Sequence, residues 1–433
     1  MNTPSSTSPT YAPFWWDDTP PAEAETQPLA ARCDVAIVGG GYTGLLAALV
    51  LARAGRSVQV FDSGIPGAAA SSRNAGIASG TTKSGYSALV EKWGAEKANA
   101  AYAEGVAARR DLRRFIEAEG IDCQYQTCGR FTGATRPRKF DAMQREAEML
   151  NSRFDIGASM VGKADQHREI GSDFYFGGMI RPDIAALNPA RFYRGLAARA
   201  GAAGSAIHGH APVGSIARAS GGGFTVTTER GSTLARDVLV CTNGYTDTTQ
   251  PWLRRRLVPV ASQMIATEPL PDGLMDRLLP TRRILSETKK MSHYYRTCPE
   301  GRRILFGGRL YGTQTDGAEL SHARLHADLL EIFPDLADVA ISHTWWGFVA
   351  FPRDMLTMYR LHDGIHYAAG YNGAGVVWAR WFGIKAAYRV LGDARAQSEF
   401  RDRIVGAIPF YTGKPWFLPA VQAWYGLRDR FGF

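Results

Sequence analysis

No apolar run in the 433 residues reaches the ~18–20 residues needed to span a bilayer, so no integral membrane segment is expected. The opening stretch, MNTPSSTSPTYAPFWWDDTPP, has no basic region followed by an apolar core, so no secretory signal is expected either. The five cysteines are an odd number, and no C-x-x-C occurs. That argues against a disulfide framework and a structural zinc site, and for a reducing, cytoplasmic setting. No G-x-S-x-G is present to build a hydrolase nucleophile elbow. His322/His326 and His362/His366 are spaced i, i+4 but lack a third ligand at fitting spacing, so no metal is expected. The net charge of +9 comes from scattered residues, with short runs at Arg109-Arg110, Arg113-Arg114 and Arg254-Arg255-Arg256. This favours a solvated basic surface over a nucleic-acid partner.

The chemistry-bearing stretch is residues 34–62, DVAIVGGGYTGLLAALVLARAGRSVQVFD. Val35 to Val38 form the short apolar run of a buried parallel strand. Gly39, Gly41 and Gly44 supply G-x-G-x-x-G directly after it. Residues 45–54 then read as a helix that is apolar all round. A second strand follows and ends on Asp62, 21 residues after Gly41. Gly39 allows the tight turn, Gly41 lets a pyrophosphate approach the backbone, and Gly44 lets the helix pack on the strand. Open N–H groups at the helix start face the phosphates, and Asp62 can accept from ribose hydroxyls. Strand, glycines, helix, strand and acid occur in the order a dinucleotide site requires.

A loop of small residues follows, SGIPGAAASSRNAGIASG, able to wrap closely around a flat, phosphate-bearing ligand. Residues 87–120 read as helices, another helix is expected near 139–153, and Asn188-Pro189 opens a further one. The doubly wound pattern resumes through Val213 to residues 237–242. Residues 258–345 alternate as an antiparallel sheet. Residues 364–369 form a strand, and YNGAGVVWARWFGIKAAYRVLG turns into a long helix at a Gly-rich corner. The fold expected is α/β, a doubly wound domain with a second α+β domain on an antiparallel sheet. The divisions expected are a tail at 1–30, a nucleotide domain at 31–110, 185–257 and 341–395, a substrate domain at 111–184 and 258–340, and an extension at 396–433. Phe14-Trp15-Trp16 is expected to dock on the folded body. A second dinucleotide motif is absent: Gly221-Gly222-Gly223 precedes a strand, and the FGGR at 306–309 has the wrong spacing. An enzyme drawing electrons from a nicotinamide usually needs that second site.

These motifs resemble the D-amino-acid oxidase superfamily of flavoproteins, in its glycine and sarcosine oxidase branch, with a look of the γ-glutamylputrescine oxidoreductases. The resemblance rests on the glycine turn with Asp62, SSRNAG at 71–76, DVLVCTNGY at 237–245, ILFGGR at 304–309 and GYNGAGV at 370–376, and covers nearly the whole chain. It implies FAD as cofactor. Gly39, Gly41, Tyr42, Thr43 and Gly44 would hold the pyrophosphate, and Asp62 the ribose. Ser71, Ser72, Asn74, Ala75 and Gly76 would run beside the pyrophosphate and flavin, with Val213 at the adenine. Thr242, Asn243 and Gly244 would close over the ADP half, and Gly373, Ala374, Gly375 and Val376 would face the flavin pyrimidine edge. Covalent relatives attach flavin through a Cys near WWGF or an N-terminal His. Here Trp345-Trp346-Gly347 stands at the first place and no His precedes His167, so FAD is expected to be non-covalent. Where some relatives carry an oxygen-assisting Lys, this strand reads Ile304-Leu305-Phe306, so the electron acceptor is oxygen or another molecule.

The reaction implied is oxidation of a small-molecule primary or secondary amine or an amino acid, by hydride transfer to flavin N5. Tyr295, Arg309, Trp346, Tyr371 and Asn372 are the candidate pocket residues, with aromatic walls for an alkyl amine and Arg309 for a carboxylate. An NAD(P)H-driven reductase or monooxygenase, and a flavin domain acting on modified tRNA, are the rival readings. The C-terminal segment PWFLPAVQAWYGLRDRF is expected to dock on the FAD domain rather than on a membrane.

Overall fold

Val35, Ala36 and Ile37 have no measurable exposure, as the unbroken apolar run demands of a strand covered on both faces. In the computed structural model, which describes residues 8–24, 27–310 and 321–432, that strand (Arg32–Val38) lies at the centre of a sheet. Residues 1–7 of the expected tail and 311–320 of the expected substrate domain lie outside the described residues. Gly231–Val240 and Val58–Phe61 flank the central strand in parallel, followed outward by Ile365–Ala369 and Ala206–His208. A hairpin from Val213–Arg218 and Phe224–Thr228 joins this sheet antiparallel.

Two helices packed on each other lie against this sheet, Tyr42–Arg53 on the central strand and Gly375–Val390 on Ile365–Ala369. Tyr42–Arg53 buries Leu45, Leu46, Leu49 and Leu51 almost completely, each contributing about 2–3 kcal/mol by removal from water. It lies on Gly375–Val390, which rises from the second Gly-rich corner. Gly44 is where the first helix meets its own strand: a Cβ there would fall 2.0 Å from the Gly39 carbonyl oxygen and 3.1 Å from Ile37.

The second sheet runs Ile341–Pro352, Leu257–Thr267, Ile304–Arg309, Tyr294–Thr297, Ile284–Glu287, Arg130–Gly133, Gly178–Arg181 and Ser159–Val161. All its pairings are antiparallel except that of Ile284–Glu287 with Arg130–Gly133. Strand Ile341–Pro352, grouped from sequence with the nucleotide domain, belongs to this antiparallel sheet. The division expected at 110/111 falls inside one helix, Ala95–Ala118. Helix Pro137–Phe154 lies where one was expected.

The segments Phe14–Trp16 and Leu418–Phe431 both dock on the folded body. Trp15 is 1% exposed and packs with Met264, Leu305 and Trp345. The C-terminal helix, Leu418–Phe431, seats on the antiparallel sheet, which corrects the expected placement on the FAD domain. Leu418 joins Val258, Val260 and Phe351, and Gln422 donates to the Leu310 carbonyl. Asp429 accepts from the Lys290 and Met291 amides at 2.7 and 2.8 Å. An apolar stripe on a helix fixes that it is covered, not by what. Among the described residues no helix is long and apolar enough to cross a membrane.

Candidate active site

A cavity of about 710 Å³ opens between the two sheets. Its floor is the glycine turn. Gly39, Gly41, Tyr42 and Thr43 line it, and a Cβ on Gly41 would lie 2.8 Å from Ser71 Oγ. The Tyr42 amide donates to that same oxygen at 3.0 Å, and the N-cap residue of the helix that starts there, Gly41, has no side chain to take up the following amides. Asp62 lines the adjacent wall, accepting from the Gly40 and Gly64 amides at 2.9 and 3.1 Å. Burial raises its pKa above the usual carboxylate value, with those amides acting in the opposite direction. Val213, Thr242 and Asn243 continue the same wall.

The small-residue loop contributes Ser71, Asn74 and Ala75. Three tryptophan indoles hold it in place. Trp15 Nε1 donates to the Asn74 carbonyl at 2.9 Å, Trp16 Nε1 to Ser72 Oγ at 3.0 Å, and Trp345 Nε1 to the Arg73 carbonyl at 2.8 Å. The opposite rim is Tyr371, Asn372, Gly373, Ala374, Gly375 and Val376. Tyr371 bonds its hydroxyl to Thr43 at 2.8 Å and ties this rim to the glycine turn. Asn372 Oδ1 is buried with no hydrogen-bond partner.

Six expected site residues do not line the cavity. Gly44 packs beneath the turn. Ser72 is buried and donates to the Gly67 carbonyl at 2.8 Å. A Cβ on Gly76 would fall 2.0 Å from the Leu187 oxygen, and one on Gly244 3.1 Å from Phe348. Tyr295 points into the core, its hydroxyl 3.0 Å from that of Tyr175. Trp346 lies on the face opposite Trp345. The two aromatic misplacements share a cause. Strand side chains alternate, so the cavity face takes Tyr294 and Trp345 rather than their neighbours. Arg309 lines the cavity as expected, with its guanidinium carbon 4.8 Å from the Phe351 ring centroid.

The sheet face also brings in residues that were not singled out from sequence: Arg130, Thr132, Ser262, Ser286 and, from the loop before Tyr86–Trp93, Lys83. Thr132 and Ser262 join Tyr294 and Arg309 through cross-strand register, which the sequence does not show. Lys83 has no periodic signal. Among the described residues no histidine lines the cavity, and Cys241 is the cysteine that does, behind the glycine turn. Burial pushes its thiol pKa well up.

The chain matches the family model "FAD dependent oxidoreductase" over residues 34–389. It belongs to that family. This FAD-dependent oxidoreductase is 28% identical over 427 residues to the γ-glutamylputrescine oxidoreductase of Escherichia coli (strain K12), covering 98% of this chain and 96% of that one. It is 29% identical over 436 residues to a probable oxidoreductase, OrdL, of Rhizobium meliloti (strain 1021), end to end in both. Its fold superposes on glycine oxidase from Geobacillus kaustophilus with a TM-score of 0.71 at 21% identity, covering 88% of this chain and 99% of that one. The cavity fits the FAD of the family. It has a glycine cradle that a side chain would fill, two helix starts with no side-chain cap from their N-cap residues, and an orphaned acceptor at Asn372.

Proposed function

We propose that this FAD-dependent oxidoreductase oxidises the C–N bond of a primary or secondary amine or an amino acid. The observation that carries this reading is the composition of the wall facing the dinucleotide cradle. Tyr294, Trp345, Phe351 and Arg309 line one cavity with it. FAD, when bound, supplies the acceptor for the hydride leaving the carbon next to nitrogen. The glycine turn and Asp62 would hold the dinucleotide, and residues 373–376 its flavin end. Tyr294 and Trp345 would exclude water and hold the alkyl part of the substrate. Arg309 has no carboxylate partner among the described residues and would orient a substrate carboxylate. The amine must lose its proton before hydride leaves, because its lone pair stabilises the forming C=N bond. Water then hydrolyses the imine to an aldehyde or keto compound. A γ-glutamylputrescine-like molecule is one substrate of this kind. Support for that choice is the similarity to the E. coli enzyme.

The test is anaerobic stopped-flow with γ-glutamylputrescine, sarcosine, glycine and pipecolate, following loss of flavin absorbance. At least one amine should bleach the flavin, and NADPH should not. If NADPH alone bleaches it, the reductase reading replaces this one. The cofactor is held without a covalent bond, so acid precipitation should release all the yellow colour. Flavin in the pellet would refute this.

A further inference from the structure

The cavity is unevenly charged. Lys83, Arg130 and Arg309 line it, and none of them forms an ion pair with a carboxylate among the described residues. Arg130 Nε is buried with no hydrogen-bond partner. Arg309 rests on Phe351, and Lys83 is exposed and lines the open cavity. The acids that share the lining are engaged elsewhere. Asp62 accepts from two backbone amides, and Asp247 accepts from the Thr249 amide and hydroxyl. Glu287 accepts from Tyr175 and lies 2.9 Å from His293 Nδ1.

Sheet register spreads the cations. Thr132 pairs with Ser286, Ser286 with Tyr294, and Tyr294 with Gly307. Arg130 lies two residues before Thr132 and Arg309 two after Gly307, toward opposite ends of that row. Three strand spacings and four residue steps separate their backbones by roughly 20 Å. Lys83 reaches in from the loop between, within the fields of both arginines. An amine with one carboxylate, in its reactive neutral-amine form, carries a single negative charge. That leaves one of the two arginines without a substrate carboxylate, with only the more distant fields of Asp183 at Arg130 and Asp429 at Arg309. A molecule with further ammonium groups is worse.

We propose that this side of the cavity takes a dianionic amine, an amine or imino acid bearing two carboxylates, with Arg309 holding one and Lys83 and Arg130 the other. This narrows the amine-oxidation reading and rests on it. The charge state of Lys83 agrees. Desolvation by the protein crowded around this open cavity, then the fields of Arg309, Lys290 and Arg130, push its pKa down to about 7 in the free protein. A bound dianion reverses those fields and draws a proton onto Lys83.

The experiment uses the FAD-loaded enzyme and probes that it cannot oxidise: glutarate and butyrate. Binding is read from the shift of the flavin spectrum and by calorimetry at pH 7.5 in two buffers of different ionisation enthalpy. Glutarate should bind at least ~10-fold more tightly than butyrate and take up protons as it binds. Lys83→Met should bring glutarate down to the affinity of butyrate and abolish proton uptake. Lys83→Arg should keep the affinity and lose the uptake. Equal binding of the two probes to the wild type overturns the proposal, whatever the variants do. So does an equal loss of both probes in Lys83→Met. Because no turnover is needed, tight glutarate binding by an enzyme that no amine reduces would overturn the oxidation reading alone.

Discussion

Gly41 is the glycine of the cradle whose missing side chain faces the cavity. Ser71 Oγ stands 2.8 Å from where its Cβ would be, and the ligand approach lies on the same side. Gly41→Val is expected to yield protein with less than about a tenth of the wild-type flavin, since a branched side chain there also blocks the pyrophosphate. The ratio of visible to ultraviolet absorbance after purification measures this, and full flavin content would overturn the placement. His293 supports the cavity from behind, beside Glu287 at 2.9 Å and Asp328 at 3.2 Å. Burial alone would lower its pKa, but the bonds to Asp328 and Glu287 outweigh it and lift His293 to about 9. A raised pKa contributes stability that is complete below the ordinary histidine value and is lost as pH rises through about 9. The contribution is at most on the order of 3 kcal/mol. The Tm should therefore fall between pH 7 and 9.5. His293→Gln should lower the Tm at pH 7 and flatten that fall, and an unchanged slope would count against the pairing. At this scale the cradle was legible from sequence because its spacing is rigid. The pocket face was not. One residue of strand parity separates Tyr295 from Tyr294 and Trp346 from Trp345, and sequence alone does not show which face turns inward.

The short N-terminal helical turn, Phe14–Trp16, braces the small-residue loop. With Trp345 it holds the backbone and side chains of residues 72–74 through indole N–H groups. Losing both tail donors while keeping an aromatic ring at each position leaves two acceptors short of a partner, at about 1–3 kcal/mol each if they stay dry, in addition to the smaller ring's lost packing at Trp15. The double variant W15F/W16F is expected to fold, to melt lower, and to release FAD several-fold faster in a dilution assay. Wild-type release would show that the loop holds its shape unaided. The docking of the aromatic tail was readable from its composition, because so many exposed aromatics in a tail would be costly in water. Its hydrogen bonds were not, since they join residues far apart in sequence. The C-terminal helix shows the same limit: its apolar residues announced burial, while Asp429 and Gln422 chose the antiparallel sheet.

Across the whole molecule, the chain passes repeatedly between the two sheets. Strands up to Val58–Phe61 build the parallel one, Arg130–Gly133 to Gly178–Arg181 the other, and the alternation continues to Ile365–Ala369. Neither sheet is a continuous segment, and the cavity lies between them. Unfolding is therefore expected as one transition, with far-ultraviolet and tryptophan signals coinciding, and added FAD should raise its midpoint by ligand linkage. Two separated transitions, one of them insensitive to FAD, would contradict this. The alternation was visible in the sequence as apolar runs giving way to period-two stretches and back. The exact exchange of strand Ile341–Pro352 was not, because a buried edge of either sheet carries the same residue types.

The tie between Thr43 and Tyr371 has a consequence for the order of synthesis. Thr43 leaves the ribosome among the first residues of the fold, and Tyr371 when most of the chain has been made. The cradle must wait, incomplete, through nearly the whole of translation. Nascent chains and truncated products that end before residue 371 should therefore emerge colourless, and flavin capture should mark release of a finished polypeptide.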